Sequence, residues 1–387
     1  MKKKIIILGS TGSLGKVTLD IISKNKKKYS VELLVANKNL KTLYKQIIIF
    51  RPKYVYLDDK IYSKKLSSLL KKNKTKIIHN FEEIQKKISR SDIMMSAITG
   101  FDGLKYNLLL IKKAKKILFA NKESIICGWN LIKKEIKKYN SSFFPVDSEH
   151  FAISELIKDK DIKKIKNITI TASGGPFLNL DKKSMKDINK KMALKHPKWN
   201  MGKKISIDSA TMMNKIFEVI EAYRLFDLNS EQINIVIHPQ SIVHAIVNYK
   251  NGTSHALMHN TDMKIPINSG MTESKSNDKS VISDFDIHKF NNMNFFKINK
   301  YKFPSLNFLK DISEKCTLFD TVLISANDEL VELFLKDKIK FNDIVSYLKI
   351  IINLNSFKRY KYIKPKNFKE IQELNHFVRL KTRSLCI

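Results

Sequence analysis

The chain has 387 residues, 43% of them hydrophobic and 28% charged, a composition that supports two or three folded domains and excludes global disorder. No apolar run reaches the length of a membrane span, and the three cysteines (Cys127, Cys316, Cys386) are too scattered for a disulfide scaffold or a Cys-type zinc site. The outlying quantity is charge: 72 Lys and Arg against 37 Asp and Glu give +35.

Met1-Lys2-Lys3-Lys4-Ile5 leads directly into a strand-like segment, so no secretory or transit peptide is expected, and a cytoplasmic, reducing setting fits the cysteines. Up to about residue 145, short apolar runs alternate with lysine-rich amphipathic stretches. Strands are expected at Lys4–Leu8, Val31–Val35, Tyr54–Leu57, Thr75–Ile78, Asp92–Ala97 and Lys116–Ala120, with helices between them such as Lys16–Ser23 and Gly103–Lys113. This alternation reads as βαβ units on a parallel sheet. From Phe143 to Ile267, strands at Asn167–Thr171, Ile233–Ile237 and Val243–Val247 accompany one long helix over Ser209–Phe226, which reads as an α+β domain. The polar stretch 268–302 reads as a linker. Helical patterns follow at Leu306–Lys315, Asn327–Lys336, Phe341–Leu354 and Asn367–Ser384. The expected class is α/β: a Rossmann-like N-terminal parallel sheet, an α+β catalytic domain and a C-terminal helical bundle. The expected boundaries are 1–146, 147–272, a linker at 273–303, and 304–387.

Gly9-Ser10-Thr11-Gly12-Ser13-Leu14-Gly15 sits between the first strand and the first helix. Glycines there let the backbone approach a pyrophosphate, and the helix N-terminus supplies N–H donors. The second strand ends in Ala36-Asn37-Lys38-Asn39. An acidic residue here would bind a ribose 2′-hydroxyl; a lysine and two asparagines suit a 2′-phosphate, favouring NADP over NAD.

Pro145-Val146-Asp147-Ser148-Glu149-His150 follows an apolar run. If extended, Asp147 and Glu149 face one side and can share a hard cation; otherwise they are a helix cap and a solvated acid. On the long helix, Asn214 and Lys215 are four and three residues before Glu218, so all three share a face. Ser209, Asn214 and Lys215 make a plausible phosphate cradle, although a Lys–Glu pair there can also be purely structural. Three carboxylates with oxygen ligands suit Mg²⁺ or Mn²⁺ rather than zinc.

The glycine-rich loop Thr171–Phe177 offers backbone N–H groups and the Ser173 hydroxyl to an anion. The run His196-Pro197-Lys198-Trp199-Asn200-Met201-Gly202 carries a Trp and a Met suited to closing over a ligand. Lys122, after the strand Lys116–Ala120, is placed to reach a substrate oxygen. His238, His244, His255 and His259 show no ligand spacing and read as structural or surface residues. Cys127 lacks a paired His or acid, which argues against a thiol-dependent dehydrogenase. Lysine is spread along the whole chain with heavy Ile and Asn use, so +35 fits composition drift, and an anionic small substrate is a better partner than nucleic acid.

These motifs, in this order, resemble the 1-deoxy-D-xylulose 5-phosphate reductoisomerase family. The resemblance rests on GSTGSLG (9–15), SAITG (96–100), NKES (121–124), PVDSEH (145–150), TASGGPF (171–177), HPKWNMGKKISIDSATMMNK (196–215), EVIEA (218–222), HPQSIVHA (238–245) and ANDELVELFL (326–335). It implies an NADPH-dependent, metal-requiring rearrangement and reduction of 1-deoxy-D-xylulose 5-phosphate to 2-C-methyl-D-erythritol 4-phosphate, on the non-mevalonate route to isoprenoid precursors. The cation implied is Mg²⁺ or Mn²⁺, with Co²⁺ a further candidate. The partners implied are a small phosphorylated sugar and a second copy of the chain, with no specific nucleic acid and no membrane.

The resemblance also implies roles. Thr11, Gly12, Ser13 and Leu14 would bind the NADPH phosphates, and Asn37, Lys38 and Asn39 the 2′-phosphate region; Asn121, Glu123 and Gly202 would contact NADPH too. Asp147, Glu149 and Glu218 would hold the metal. Lys122 and Ser148 would hold substrate oxygens, while Ser173, His196, Ser209, Asn214 and Lys215 would bind substrate, chiefly around its phosphate. Trp199 and Met201 would form the lid. Lys122, Asp147, Glu149, His196 and Glu218 make up the expected catalytic set, with Glu149 and Glu218 facing substrate as well as metal. Asn37 stands where the family usually has glycine, and the region 274–292 is unlike common members.

Overall fold

The computed structural model describes residues 1–71, 73–181, 184–199, 201–272 and 283–387. In chain order its elements are β1 (Lys3–Leu8), α1 (Ser13–Lys24), β2 (Tyr29–Ala36), α2 (Leu40–Phe50), β3 (Tyr54–Leu57), α3 (Lys60–Leu69), β4 (Lys76–Ile78), α4 (Phe81–Lys87), β5 (Ser91–Ser96), α5 (Gly103–Leu110), β6 (Ala114–Phe119), α6 (Lys122–Lys138), β7 (Ser142–Pro145) and α7 (Ser148–Ile157). There follow β8 (Ile165–Ala172), α8 (Lys190–Ala193), α9 (Lys203–Ala210), α10 (Met213–Phe226), β9 (Ile233–Ile237), β10 (Val243–Tyr249), β11 (Ser254–Met258), α11 (Lys264–Met271), β12 (Phe296–Lys297), α12 (Leu318–Leu335), α13 (Phe341–Ile352), α14 (Asn355–Lys358) and α15 (Phe368–Cys386). Contacts divide the chain into two compact units. One comprises Met1–Asn121, Ile132–Asp147 and Asp262–Asp284; the other comprises Lys122–Leu131, Ser148–Thr261 and Phe285–Ile387.

The first unit is built on a seven-stranded sheet in the order β4-β3-β2-β1-β5-β6-β7, every pair parallel. Its central strands are continuous apolar runs because both faces are covered; Ile5, Ile6, Ile7 and Leu8 are all buried. Strand order reverses between β1 and β5, which opens a crevice at their C-terminal ends. The expected strands of this region are all present. Gly9 has φ +81°, and its N–H donates to Val35 O at 2.9 Å. A Cβ on Gly9 would lie 2.5 Å from Ala97 O, and one on Gly15 only 2.3 Å from Gly9 O. These glycines hold strand, turn and α1 in close backbone contact.

The second unit carries a five-stranded mixed sheet, β11-β10-β8-β9-β12, in which only β8 and β9 run parallel. The helices α7, α9, α10, α12, α13 and α15 belong to the same unit.

Several expectations need correction. The long helix Ser209–Phe226 is two helices, α9 and α10, separated at Met212, whose φ is +63°. No Gly or Pro marks that break. It is held from outside: Ser305 Oγ donates to Thr211 O at 2.6 Å, while Thr211 Oγ1 bonds back to Ile207 O at 3.0 Å. Leu306–Lys315 is a 3-10 segment over Pro304–Asp311. The stretch 268–302 is not all linker. α11 groups with the first unit, where Gly270 is held so close that a Cβ would meet Leu118 at 2.7 Å and Phe144 at 2.8 Å. Phe296 and Lys297 pair with Ile237 and Val236. Residues 273–282 lie outside the described residues. The C-terminal helices do not separate from the α+β region; α12 is longer than expected, and Arg224 on α10 bonds Asp320 on α12 at 2.8 Å.

Gly15→Ala is expected to destabilise the first unit by about 1–3 kcal/mol, because the obstructing atoms are backbone and cannot move aside. Gly12→Ala, whose Cβ would meet only Gly9 O at 3.3 Å, is expected to cost less. Urea denaturation of the two variants measures the difference.

Candidate active site

Burying several carboxylates requires cations beside them. The second unit meets that need at the start of α10. Because Met212 breaks the helix, Asn214 and Lys215 fall in the first turn of α10 and Glu218 one turn later. Asn214 Nδ2 donates to Glu218 Oε1 at 2.5 Å, and Lys215 Nζ forms an ion pair with Glu218 Oε2. Lys215 Nζ also donates to Thr171 O at 2.5 Å and stands 3.5 Å from Glu149 Oε1. Lys122, in the first turn of α6, reaches Glu221 Oε2 at 3.1 Å and Glu218 Oε1 at 3.7 Å. Glu218 and Glu221 are 1% and 2% exposed, so these pairs are shielded from solvent.

The segment Asp147–Glu149 is not extended: Ser148 begins α7, and Glu149 lies in its first turn. The cluster forms nonetheless. Asp147, where the chain passes from the first unit into the second, offers with Glu149 and Glu218 one oxygen each within 4.8 Å of one another. Ser148 Oγ donates to Glu149 Oε2 at 2.5 Å and orients that carboxylate.

Ser173 and His196 form the neighbouring polar pair, with Ser173 Oγ 3.1 Å from His196 Nε2. The backbone N–H groups of Lys198 and Trp199 donate to His196 Nδ1 at 3.2 and 2.9 Å. Nδ1 is therefore the acceptor nitrogen, and Nε2 carries the proton of the neutral ring. Burial lowers the His196 pKa to about 4, so the ring is neutral at pH 7. Ser173 Oγ then accepts from both His196 Nε2–H and Gly175 N–H (3.1 Å), leaving its own O–H to donate to a ligand. Ser209 is half-buried near the end of α9. Trp199 packs edge-on to His244 at 6.2 Å; Met201 is half-buried, Gly202 is exposed at the N-cap of α9, and Asn200 lies outside the described residues.

In the first unit, Gly12 caps α1 without a side-chain bond, and Thr11, Gly12, Ser13 and Leu14 lie at that helix start. Gln46 Nε2 supports the turn by donating to Ser10 O at 2.8 Å. Asn37, Lys38 and Asn39 are exposed beyond β2, and Asn39 Oδ1 accepts from Thr42 N to cap α2. Asn121 Nδ2 donates to Gly100 O at 2.9 Å.

Family models described as 1-deoxy-D-xylulose 5-phosphate reductoisomerase, its C-terminal domain, and the DXP reductoisomerase C-terminal domain match residues 5–128, 143–226 and 258–381. The chain belongs to the 1-deoxy-D-xylulose 5-phosphate reductoisomerase family. The reductoisomerase of Pelagibacter ubique (strain HTCC1062) is 49% identical over the full length of both chains. A crystal structure of DOX-P reductoisomerase in complex with NADPH, fosmidomycin and magnesium superposes with a TM-score of 0.90 at 32% identity, covering 99% of this chain and 97% of that one. The reductoisomerase from Zymomonas mobilis in complex with NADPH gives 0.86 at 30% identity, covering 100% and 98%.

The residues present fit the family's two bound groups. Three hard oxygen donors in one cluster suit Mg²⁺. The uncapped start of α1, after a turn whose glycines exclude a Cβ, suits a pyrophosphate.

Two residues of the site had no role in the sequence reading. His150, fully buried, bonds Glu218 O through Nε2 at 2.8 Å and stands 3.7 Å from Glu221 through Nδ1. Glu221 is the partner of Lys122. The spacing of Glu218 and Glu221 offered a signal, since both share a face at i,i+3; His150 offered none beyond its place after the acids. Cys127 is fully buried, and burial raises its pKa well above the usual thiol value, the opposite of an activated nucleophile.

A histidine with a depressed folded pKa binds fewer protons folded than unfolded between about 4 and 6.5. Its contribution to stability is therefore present at pH 7 and lost as pH falls through that window. NMR titration of the His196 ring is expected to give a pKa near 4, and His196→Asn should flatten the pH dependence of urea unfolding between pH 6.5 and 4.

Proposed function

We propose that this chain rearranges 1-deoxy-D-xylulose 5-phosphate and reduces the product with NADPH to 2-C-methyl-D-erythritol 4-phosphate, using the residues described above. The observation that carries the residue assignment is the tri-carboxylate cluster of Asp147, Glu149 and Glu218 beside two buried lysines. When bound, NADPH supplies the hydride and the divalent cation supplies Lewis-acid polarisation of the substrate's oxygens.

The chain's own residues bind, orient and exclude water. Ser173, through the O–H that its two donors leave outward, binds the substrate phosphate together with Ser209, Asn214 and Lys215. Neutral His196 fixes the Ser173 hydroxyl, so the phosphate meets a donor rather than a second lone pair. Lys122 and Ser148 hold the substrate's hydroxyl and carbonyl oxygens. Asp147, Glu149 and Glu218 hold the cation, Mg²⁺ or Mn²⁺, with Co²⁺ also compatible with an oxygen-donor set. Lys122, Asp147, Glu149, His196 and Glu218 are the assigned catalytic set. Trp199 and Met201 close over the substrate and keep water from the reacting carbons.

For NADPH, Thr11, Gly12, Ser13 and Leu14 cradle the pyrophosphate by backbone donors. Lys38, with Asn37 and the side-chain amide nitrogen of Asn39, takes the 2′-phosphate. Asn121, Glu123 and Gly202 complete the contacts. Functionally we divide the chain into an NADPH-binding part (1–146), a catalytic and dimerisation part (147–272), whose last helix α11 groups with the first unit, and a helical part (304–387) after a connecting stretch 273–303 that lends β12 to the second sheet. A homodimer is supported by β11, an edge strand of the second sheet with ladder groups available to a partner copy. A cytoplasmic setting is supported by three free cysteines and, among the described residues, no helix long and apolar enough to cross a membrane.

The test is NADPH oxidation on adding 1-deoxy-D-xylulose 5-phosphate, with Mg²⁺ or Mn²⁺ and then with chelator. Turnover is expected only with both substrate and metal, and Glu218→Gln should lower it at least about 10–100-fold. Metal-loaded, folded protein that binds NADPH without turnover would overturn the proposal.

A further inference from the structure

Asp58 lies directly beyond β3, one strand away from the segment proposed to take the 2′-phosphate. The backbone fixes this neighbourhood. Ala36 pairs with Leu57, Asp58 N–H donates to Ala36 O at 3.0 Å, and Asp59 N–H donates to Asn37 O at 3.1 Å. No acid ends β2 itself, yet two acids stand beside Asn37, Lys38 and Asn39. Both are engaged. Asp59 Oδ1 accepts from Ile61 N and Tyr62 N at 2.9 and 3.1 Å and caps α3. Asp58 Oδ1 accepts from Tyr56 Oη at 2.7 Å and from Tyr106 Oη at 2.9 Å.

The two tyrosines come from β3 and α5, and both belong to the first unit. Phe81, which opens α4, packs edge-on to both rings, with centroids 5.4 Å from Tyr56 and 4.5 Å from Tyr106. Tyr56 is buried and Tyr106 half-buried, whereas Asp58 is exposed. Packing thus fixes the rings, and the rings fix the carboxylate. Burial, and after it the carboxylate, raises both phenol pKa values well above the usual, so both hydroxyls keep their protons and donate at neutral pH. An exposed Asp without such donors rotates freely. Toward a 2′-phosphate its charge is repulsive; toward a ribose 2′-hydroxyl it is the acceptor that suits NAD.

We propose that Tyr56 and Tyr106 are specificity-determining residues: by holding the Asp58 carboxylate between them they keep it off the 2′-phosphate and so set the preference for NADPH over NADH. The proposal rests on the assignment of Asn37, Lys38 and Asn39 to the 2′-phosphate. The tyrosines bring no charge of their own. They restrain a charge already present that would otherwise favour the wrong cofactor.

The test titrates NADPH and NADH separately into the full chain with Mg²⁺ at low ionic strength and takes the ratio of the two dissociation constants. Tyr56→Phe with Tyr106→Phe keeps the ring packing on Phe81 and is expected to lower the preference for NADPH by about three- to fivefold, the scale of one exposed charge. Each single variant should show part of that loss, and Tyr106→Phe, at the half-buried position, serves if the double variant does not fold. Asp58→Asn alone should keep the preference at or above that of the parent, and in its background the two tyrosine changes should have no effect. About 0.5 M salt should shrink the loss, which a packing defect would not do. A parent-like preference in the folded tyrosine variants, a loss that survives Asp58→Asn or salt, or weaker NADPH binding in Asp58→Asn alone would each overturn the proposal. The assignment beneath it is tested separately by Lys38→Ala, which should lower the preference for NADPH. A preference untouched by Lys38→Ala would overturn that assignment and the proposal with it.

Discussion

Glu218 is charged, nearly inaccessible and in the middle of a buried helix, and the second unit is arranged around making that tolerable. An isolated carboxylate there would cost several kcal/mol. Lys215 pairs with its Oε2 from one turn earlier, while Lys122 from α6 approaches its Oε1, to which Asn214 also donates. Each compensating group has a second task. Lys215 also bonds Thr171 O, fixing the end of β8 from which the Ser173 loop departs, and Lys122 also holds Glu221. The main chain joins in, since His150 packs against Glu218 O. Moving one of these charges would therefore disturb the loop, the cluster and the helix contact together.

The first unit solves a different problem by different means. Its proposed pyrophosphate surface is backbone rather than side chain: a turn too tight for any Cβ at Gly9 or Gly15, and the uncapped start of α1. Such a surface binds a pyrophosphate through conformation and dipoles and carries little net charge of its own. The +35 of the chain is not concentrated there by any motif. It acts as a general field favouring two anionic ligands, NADPH and a sugar phosphate, on approach.

What the sequence disclosed follows the range of the interactions involved. Strands of the first unit, the glycine turn and the shared face of Asn214, Lys215 and Glu218 are set by neighbours a few residues apart, and periodicity reports them. The break at Met212 was not legible, because Thr211 and Met212 carry no intrinsic breaker and the bond that holds them comes from Ser305. The helical start at Ser148 was one of the two readings that the run Asp147-Ser148-Glu149 left open. The return of α11 to the first unit depends on Gly270 meeting Leu118 and Phe144, more than a hundred residues earlier in sequence. The partnership of Lys204 with Asp328 is equally remote, and in a chain with 72 basic residues one more lysine gives no signal.

The two kinds of surface also respond differently to solvent. Lys38 is exposed, so on the proposed assignment its attraction for a 2′-phosphate would be screened by salt over about 8–10 Å. Lys122 and Lys215 are 10% and 5% exposed and their partners largely shielded, so mobile ions reach them poorly. Salt should therefore loosen the cofactor's adenosine end before it touches the cation cluster. Acid works in the reverse order. The backbone cradle has no group that titrates, whereas the second unit depends on carboxylates remaining ionised and His196 remaining neutral. On the proposed assignment, selectivity for the cofactor's charge and integrity of the carboxylate cluster are thus governed by separate variables, because one rests on a solvated lysine and the other on ion pairs withdrawn from water.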